Sequence, residues 1–320
     1  MKKILLLIIV VILLSVVCLK NMLFAAGNLR EKTIVQINKG SSSAMVANKL
    51  AEAEVIKYPL LFKLAARIQR LDKHLKAGEY VFEPKVSLMQ VLEKMNRGEV
   101  FYRKITLPEG LTTAQMLDII ANNEFLSGNI TIAPEEGTIM PETYSFVRGD
   151  SKDSIIKQAQ AAMNIDLNNI WEGRDLSVPV KNKQELLILA SIIEKETGLE
   201  EERNLVASVF VNRLRRGMRL QTDPTVIYAL TNGKKELDRL LTRKDLQIDS
   251  PYNTYKYYGL PPKPICNPGK KAIEAAANPE VSDYLYFVAS GDGGHNFARS
   301  LKQHNTNVSN WKKQNKGKKK

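Results

Sequence analysis

Residues 186–193 read Leu-Leu-Ile-Leu-Ala-Ser-Ile-Ile, a run with a single polar residue that commits the chain to building a core around it. Asn182 with Glu185 three residues on is a variant of the capping box, and Gly198 follows as a C-cap, so the run predicts a helix. At about 100° per residue its apolar side chains leave only a narrow polar arc, holding Gln184, Ser191 and Lys195. Two carboxylates interrupt the apolar surface. On the helix wheel Glu194 falls between Ala190 and Leu187, and Glu196 between Ile192 and Leu189. A carboxyl group held against aliphatic side chains has its charged form disfavoured, which raises its pKa toward the range of a general acid at neutral pH. The alternative for either is an ordinary ion pair with Lys195, Arg203 or another base. The wheel does not choose between the two.

The next segment predicts a second amphipathic helix from Val206, stopped at Gly217, and then a polar loop with Gln221, Thr222, Asp223 and Thr225. These side chains offer donors and acceptors together, which suits a ligand rich in hydroxyl and amide groups. Thr222 and Asp223 before Pro224 equally suit the cap of a following helix. Further on, Tyr252, Asn253 and Thr254 sit on a loop near Gly259-Leu260-Pro261-Pro262. Aromatic and amide side chains on rigid loops fit a carbohydrate groove, and they also fit ordinary packing.

At these residues the chain resembles a known family. The run from Ala190 through Thr197, the segment from Arg213-Leu214 to Tyr228 with its Leu220-Gln221-Thr222-Asp223-Pro224-Thr225 core, Tyr252-Asn253-Thr254-Tyr255, Gly259 through Pro262, and Tyr284 through Phe297 together look like the YceG-like endolytic murein transglycosylases. In that family the glutamate of the Ser-Ile-Ile-Glu-Lys-Glu-Thr motif is the essential catalytic residue, and it maps onto Glu194. The resemblance implies cleavage of nascent peptidoglycan glycan strands within the chain, leaving 1,6-anhydro-N-acetylmuramic acid ends, with no metal and no cofactor. One departure is Glu142 in Pro141-Glu142-Thr143-Tyr144, where the family pattern more often has Asp.

The start of the chain fits an envelope location. Lys2 and Lys3 precede an unbroken apolar run from Ile4 to Leu19, then Lys20-Asn21, then a short apolar patch from Met22 to Ala26. A secretory signal peptide has similar architecture. Bulky Leu23 and Phe24 sit where a cleavage site near Ala25 or Ala26 needs a small residue, and Val17 before Cys18 does not suit a lipoprotein site. We therefore expect an uncleaved single-pass anchor over residues 4–26, a cytoplasmic stub at 1–3 and the rest outside the plasma (inner) membrane. Cys18 in the anchor and Cys266 far from it cannot form a disulfide within the folded part.

The expected fold class is α+β: the anchor, a small module over residues 33–105, a mixed α/β catalytic domain over 106–315 and a basic tail over 316–320. Strands at 33–38 and 78–83 flank helices at 43–53 and 59–69. This β-α-α-β order matches a LysM-like module, which the family resemblance also places here. LysM modules bind N-acetylated sugars, although a unit of this size also serves as a spacer. A helix over 87–96, opened by Ser87-x-x-Gln90 and closed at Gly98, and a strand over 100–107 lead to a linker at Pro108-Glu109-Gly110. A helix after Thr112, an irregular stretch through Gly137 and a helix over 153–163 follow.

Net charge is +13, from 47 basic and 34 acidic residues. In a soluble intracellular protein that balance invites nucleic acid. With an anchor, the tail meets anionic headgroups or wall polymers instead, or is simply solvated, and no nucleic-acid partner is expected. His74, His295 and His304 lie far apart with no ligand spacing, so no metal site is expected. Residues 291–294 read Gly-Asp-Gly-Gly between strand-like runs, a hairpin turn that presents His295 to a groove or to the core. The expected partners are glycan strands, the membrane and peptidoglycan synthases.

Ordinary glycosidases need two carboxylates, whereas a lytic transglycosylase needs one acid, because the substrate's own C6 hydroxyl is the nucleophile. Glu194 is the expected acid, with Gln221, Thr222, Asp223, Tyr252, Asn253, Thr254 and His295 lining the groove. Two other readings use the same residues. One is a non-catalytic wall-binding scaffold; the other is a hydrolase whose second carboxylate is Asp223 or Glu142.

Overall fold

The computed structural model describes residues 2–72, 75–291 and 293–317. His74, Asp292 and the tail residues 318–320 lie outside the described residues. The chain divides into two compact units, Met1–Arg103 with Ser145–Asp150, and Lys104–Tyr144 with Ser151–Lys320.

The first unit begins with helix α1 (Lys2–Phe24), which continues through Lys20-Asn21 without a break. It is long and apolar enough to cross a membrane, and its aliphatic side chains are exposed along its length. Then come β1 (Thr33–Ile37), α2 (Ser43–Glu52), α3 (Pro59–Ile68), β2 (Gly78–Phe82) and α4 (Leu88–Arg97). The order is the expected β-α-α-β. Strands β1 and β2 pair antiparallel, Thr33 opposite Phe82 and Ile37 opposite Gly78. Side chains alternate across a strand, so Val35, Ile37, Tyr80 and Phe82 point to one face, where they meet Val46, Leu50, Phe62, Leu92 and Met95 from the helices. The start and stop of α4 are as its sequence dictates. Ser87 and Gln90 close a reciprocal capping box, and Gly98 ends the helix in the left-handed region at φ 70°.

The expected strand over 100–107 is shorter, β3 (Arg103–Thr106), and it pairs with β4 (Thr143–Phe146). The division between the units passes through both strands, and Pro108-Glu109-Gly110 lies inside the second unit. Arg103, at the end of one stretch that belongs to the first unit, and Arg148, within the other, share one partner there. Glu79 is buried in the first unit, and Arg103 reaches it with Nε at 2.7 Å and Nη2 at 3.0 Å. Arg148, from the loop after β4, adds Nη1 at 3.4 Å.

In the second unit, α5 (Thr113–Ala121) is followed by an irregular stretch up to β4. The next helix, α6 (Lys152–Glu172), runs nine residues past the expected end at Met163. Helices α7 (Lys183–Glu196), α8 (Glu200–Arg215), α9 (Asp223–Thr231) and α10 (Lys270–Ala277) form the core, and the hairpin β5 (Tyr286–Ala289) and β6 (His295–Ala298) precedes α11 (Leu301–Gly317). Every side chain from Leu186 to Ile193 is buried. Each of the larger aliphatic ones stabilises the fold by roughly 1.5–3 kcal/mol relative to exposure. The heaviest packing on α7 comes from α10. Ala272, Ala275, Ala276 and Ala277 on that helix are small enough to let the axes approach closely.

The single polar residue of the apolar run is also consumed. Ser191 Oγ donates to the Ile188 carbonyl at 2.7 Å and accepts the Ile265 N–H at 3.1 Å. Cys266 Sγ meets the Ser191 carbonyl at 3.3 Å. Helix α7 starts as expected, with Asn182 Oδ1 accepting the Glu185 N–H at 2.9 Å, but Glu185 returns its bond to the Lys181 N–H. It does not end on a left-handed Gly198. Thr197 turns extended at φ −140° and its N–H still reaches the Ile193 carbonyl.

Candidate active site

The last turn of α7 carries Glu194 and Glu196, two residues apart and therefore pointing to different sides of the helix. Each is half-buried. The ion pairs expected as an alternative do not form: each carboxylate accepts a hydrogen bond from an uncharged donor.

Glu194 Oε2 accepts the Gly269 N–H at 2.9 Å. Gly269 is the N-cap of α10, so the donor belongs to a helix start, where backbone N–H groups have no partner within the helix. Glu109 lies against the same glycine. A Cβ on residue 269 would overlap the Glu109 carboxylate, and one on Gly110 would stand 3.7 Å from Glu194 Cγ. Burial pushes the Glu194 carboxyl above the usual range, and the Glu109 charge pushes the same way. The Gly269 N–H, Arg203 and Lys195 oppose the shift without cancelling it. Lys195 itself donates to the Gly110 carbonyl at 3.2 Å.

What holds Gly269 in place is Asn267, fully buried two residues earlier. Its side-chain amide donates to the Leu111 carbonyl at 3.2 Å and Thr113 Oγ1 at 3.1 Å, and its Oδ1 accepts the Ile139 N–H at 2.9 Å. Its carbonyl accepts the Gly110 N–H at 3.1 Å. One asparagine thus ties residues 110–113 and 139 to the segment that supplies the Gly269 donor. Beside it, Glu136 accepts the Thr113 N–H at 2.7 Å and the Tyr228 hydroxyl at 3.2 Å, and burial raises its pKa as well.

On the other side, Thr222 Oγ1 donates to Glu196 Oε1. Thr222 occupies the N-cap of α9 but makes no capping bond, because its hydroxyl is turned to Glu196 instead. Glu196 lines a cavity of about 360 Å³ with Arg213, Gln221, Thr222, Asp223 and Tyr255. Burial is the main cause that raises its pKa, and the Asp223 charge adds to it. Gln221 has a left-handed backbone at φ 50°, a conformation costly for a residue with a side chain. Its N–H is held by the Thr254 carbonyl at 3.1 Å.

The structure therefore brings Gln221, Thr222 and Asp223 together around Glu196. Tyr255 joins them through a hydroxyl bond to Asp223 of 2.6 Å. The other expected groove residues are arranged differently. Thr254 is buried, and its Oγ1 accepts the Thr222 N–H at 3.1 Å. Asn253 is buried and its amide holds the Leu246 and Ile248 carbonyls of its own loop at 3.0 and 2.9 Å. Tyr252 packs against Tyr228 with ring centroids 4.9 Å apart. His295 opens β6, as the hairpin reading expected, and its Nδ1 lies 2.6 Å from Glu202 Oε2. Glu142 is exposed on the loop before β4. Glu109, Gly269 and Asn267 carry no local sequence signal of a site, whereas Arg213 opens one of the segments on which the family resemblance rests. The long-range contacts alone mark the first three.

Among the described residues no group of His, Cys, Asp and Glu has the arrangement of a metal site. The last turn of α7 thus carries two half-buried carboxyl groups of raised pKa, Glu194 with Glu109 near it and Glu196 in a polar cavity. The model of the YceG-like family matches residues 35–310, and the chain belongs to that family. It is similar to the endolytic murein transglycosylase of Bacillus subtilis, at 37% identity over 86% of this chain and 84% of that protein. The endolytic murein transglycosylase of Streptococcus pneumoniae serotype 2 is 30% identical over 91% of this chain, which spans 60% of that longer protein. A crystal structure of a YceG-like protein from Listeria monocytogenes superposes with a TM-score of 0.55 at 35% identity, covering 86% of this chain and 98% of the other.

Proposed function

We propose that this chain is a membrane-anchored lytic transglycosylase that cuts the N-acetylmuramic acid to N-acetylglucosamine bond within peptidoglycan strands, with Glu194 as its acid and base. The observation that carries the reading is the Glu194 carboxyl: half-buried, raised in pKa, and fixed by a single backbone N–H on Oε2. That bond holds one oxygen and leaves the other to carry the proton. Glu194 donates it to the glycosidic oxygen as the C1–O bond breaks. The C6 hydroxyl then closes on C1, and its proton returns to the Glu194 carboxylate, so no water enters the product.

Gln221, Thr222 and Asp223 are the substrate-facing residues in this reading, with Thr254 and Asn253 fixing their loop from behind and Tyr252 and His295 at its borders. Helix α1 is a single-pass plasma-membrane anchor with the catalytic unit outside, and peptidoglycan synthases are the expected neighbours there. The β-α-α-β unit is LysM-like and contacts glycan. Strand binding by the full chain should weaken when that unit's exposed face is altered.

A hydrolase is the second reading, and Glu109 favours it more than Asp223 or Glu142 do, because it lies beside Glu194. Digestion of purified strands in heavy-oxygen water separates the two. Anhydro ends that weigh one water less and carry no label support the transglycosylase. Labelled reducing ends would mean that water attacks.

A further inference from the structure

Arg203, in the first turn of α8, is only 7% exposed, yet its Nε is sealed from solvent without a hydrogen-bond partner. Burying a guanidinium without a counter-charge costs several kcal/mol. The two carboxylates close enough to neutralise it are engaged elsewhere. Glu200, three residues earlier on the same helix, pairs with Lys271, and Glu194 accepts the Gly269 N–H. Among the described residues no carboxylate lies within ion-pairing distance of Arg203. The guanidinium instead lines a cavity of about 510 Å³ together with Asn204, Lys271, Glu274 and Asn278. Glu200 also lines the cavity but is taken by Lys271, and Glu274 makes no ion pair with Arg203 among the described residues, so the cavity offers a buried planar cation flanked by two amides, whose charge is felt by the candidate acid.

A guanidinium in such a setting is matched by a carboxylate, which it holds with two parallel N–H···O bonds. We infer that Arg203 is a specificity residue that binds a carboxylate carried by the muramic acid residue, on its lactyl arm or on the peptide attached there. The inference rests on the transglycosylase reading for the identity of the strand. It makes strand recognition depend on the substituent of the sugar as well as on the sugar itself. The guanidinium stays unpaired until that carboxylate arrives.

The test uses the full chain and three substrates: strands with peptide carboxylates, the same strands with those carboxylates amidated, and strands stripped of peptide to the free lactyl carboxylate. Equilibrium binding is measured on the Glu194→Gln protein and steady-state cleavage on the otherwise unaltered protein. One charge-assisted pair is worth about 10-fold to 100-fold in affinity. Amidated strands should therefore bind that much more weakly and show a raised KM with kcat within a few-fold. Arg203→Gln should abolish the difference, Arg203→Lys should restore part of it, and neither should lower the melting temperature of the free protein. A preference for stripped strands assigns the lactyl arm; a preference for peptide-bearing strands assigns the peptide. Equal binding of all three strands, amidated, carboxylated and stripped, overturns the inference. So does a discrimination that survives in Arg203→Gln, or a melting temperature raised by dissolved acetate while all three strands bind alike. Failure to cleave any strand would overturn the transglycosylase reading, while the binding measurements would still decide the role of Arg203.

Discussion

Glu79 in the first unit and Glu194 in the second are both glutamates drawn into the protein, and they are handled in opposite ways. Glu79 is 3% exposed and is met by two guanidinium groups, which hold its pKa below the usual range despite burial. The Arg103 hydrogen bond is the largest cause. Glu194 keeps more contact with solvent, but its anchoring partner is one neutral N–H, and burial wins. Burial of a carboxylate therefore does not by itself signal chemistry. The partners decide: a charged clamp lowers the pKa and fastens chain segments together, and a neutral donor leaves the rise caused by burial uncancelled.

The largest effect that sharpens this contrast is on turnover. Glu194→Gln preserves size and the acceptor for Gly269 but cannot move a proton, so cleavage of purified strands should fall by about 10²–10⁴-fold. Glu196→Gln should stay within about tenfold of the unaltered rate. The reverse ranking, read from released products by mass spectrometry, would move the acid to the Thr222 side of the helix.

At the other carboxylate the effect is on stability. Glu79→Gln leaves Arg103 and Arg148 facing a neutral amide and should cost about 3 kcal/mol, at the low end for a broken buried pair because Arg148 is half open to solvent. Since the Glu79 pKa is lowered on folding, its contribution is present above the ordinary carboxylate range and is lost as the pH falls through the folded value. Melting curves of the two proteins should accordingly converge in acid. Turnover per folded molecule should not change.

Gly269→Ala probes the neighbour of Glu194. The backbone there is at φ −72°, which alanine adopts freely, and the N–H to Glu194 survives. The new methyl displaces the exposed Glu109 side chain. A one-acid mechanism predicts a rate within a few-fold of the unaltered protein. A loss beyond about tenfold, with Glu109→Gln giving the same loss, would make Glu109 a partner in catalysis.

The smallest effect is a change of stability of the opposite sign to that at Glu79. A raised Glu194 pKa means that the folded protein holds the proton more tightly than the unfolded chain, so its contribution is full below the ordinary glutamate value and declines as pH rises through the window above it. Glu194→Gln should therefore be more stable than the unaltered chain at pH 7. The gap should close near pH 4. A gap of constant size across that range would mean that the carboxyl is not perturbed.

Much of this was legible in the residues. The apolar run of α7, the capping box of α4, the β-α-α-β order of the first unit and the hairpin before His295 are written in local patterns, because helix caps, turns and side-chain periodicity depend on residues a few positions apart. The raised state of Glu194 and Glu196 also follows locally, since their aliphatic neighbours lie on the same helix face. Thr222 shows where local rules mislead. Its position is that of a helix cap, yet its hydroxyl goes to Glu196, 26 residues earlier.

The sequence by itself set Glu194 and Glu196 against aliphatic neighbours and required a core to close around α7, whereas the burial of Glu79 and Glu136 carried no such local signal. Tertiary structure alone decided who meets them: Gly269 and Glu109 at Glu194, Thr222 and Asp223 at Glu196, Arg103 and Arg148 at Glu79. It also decided that the Arg203 Nε would be buried without a hydrogen-bond partner among the described residues. The physical reason is range. Desolvation is set by the nearest side chains, which a helical period brings together, while hydrogen bonds and ion pairs act over about 3–4 Å between segments whose approach depends on the packing of the whole unit.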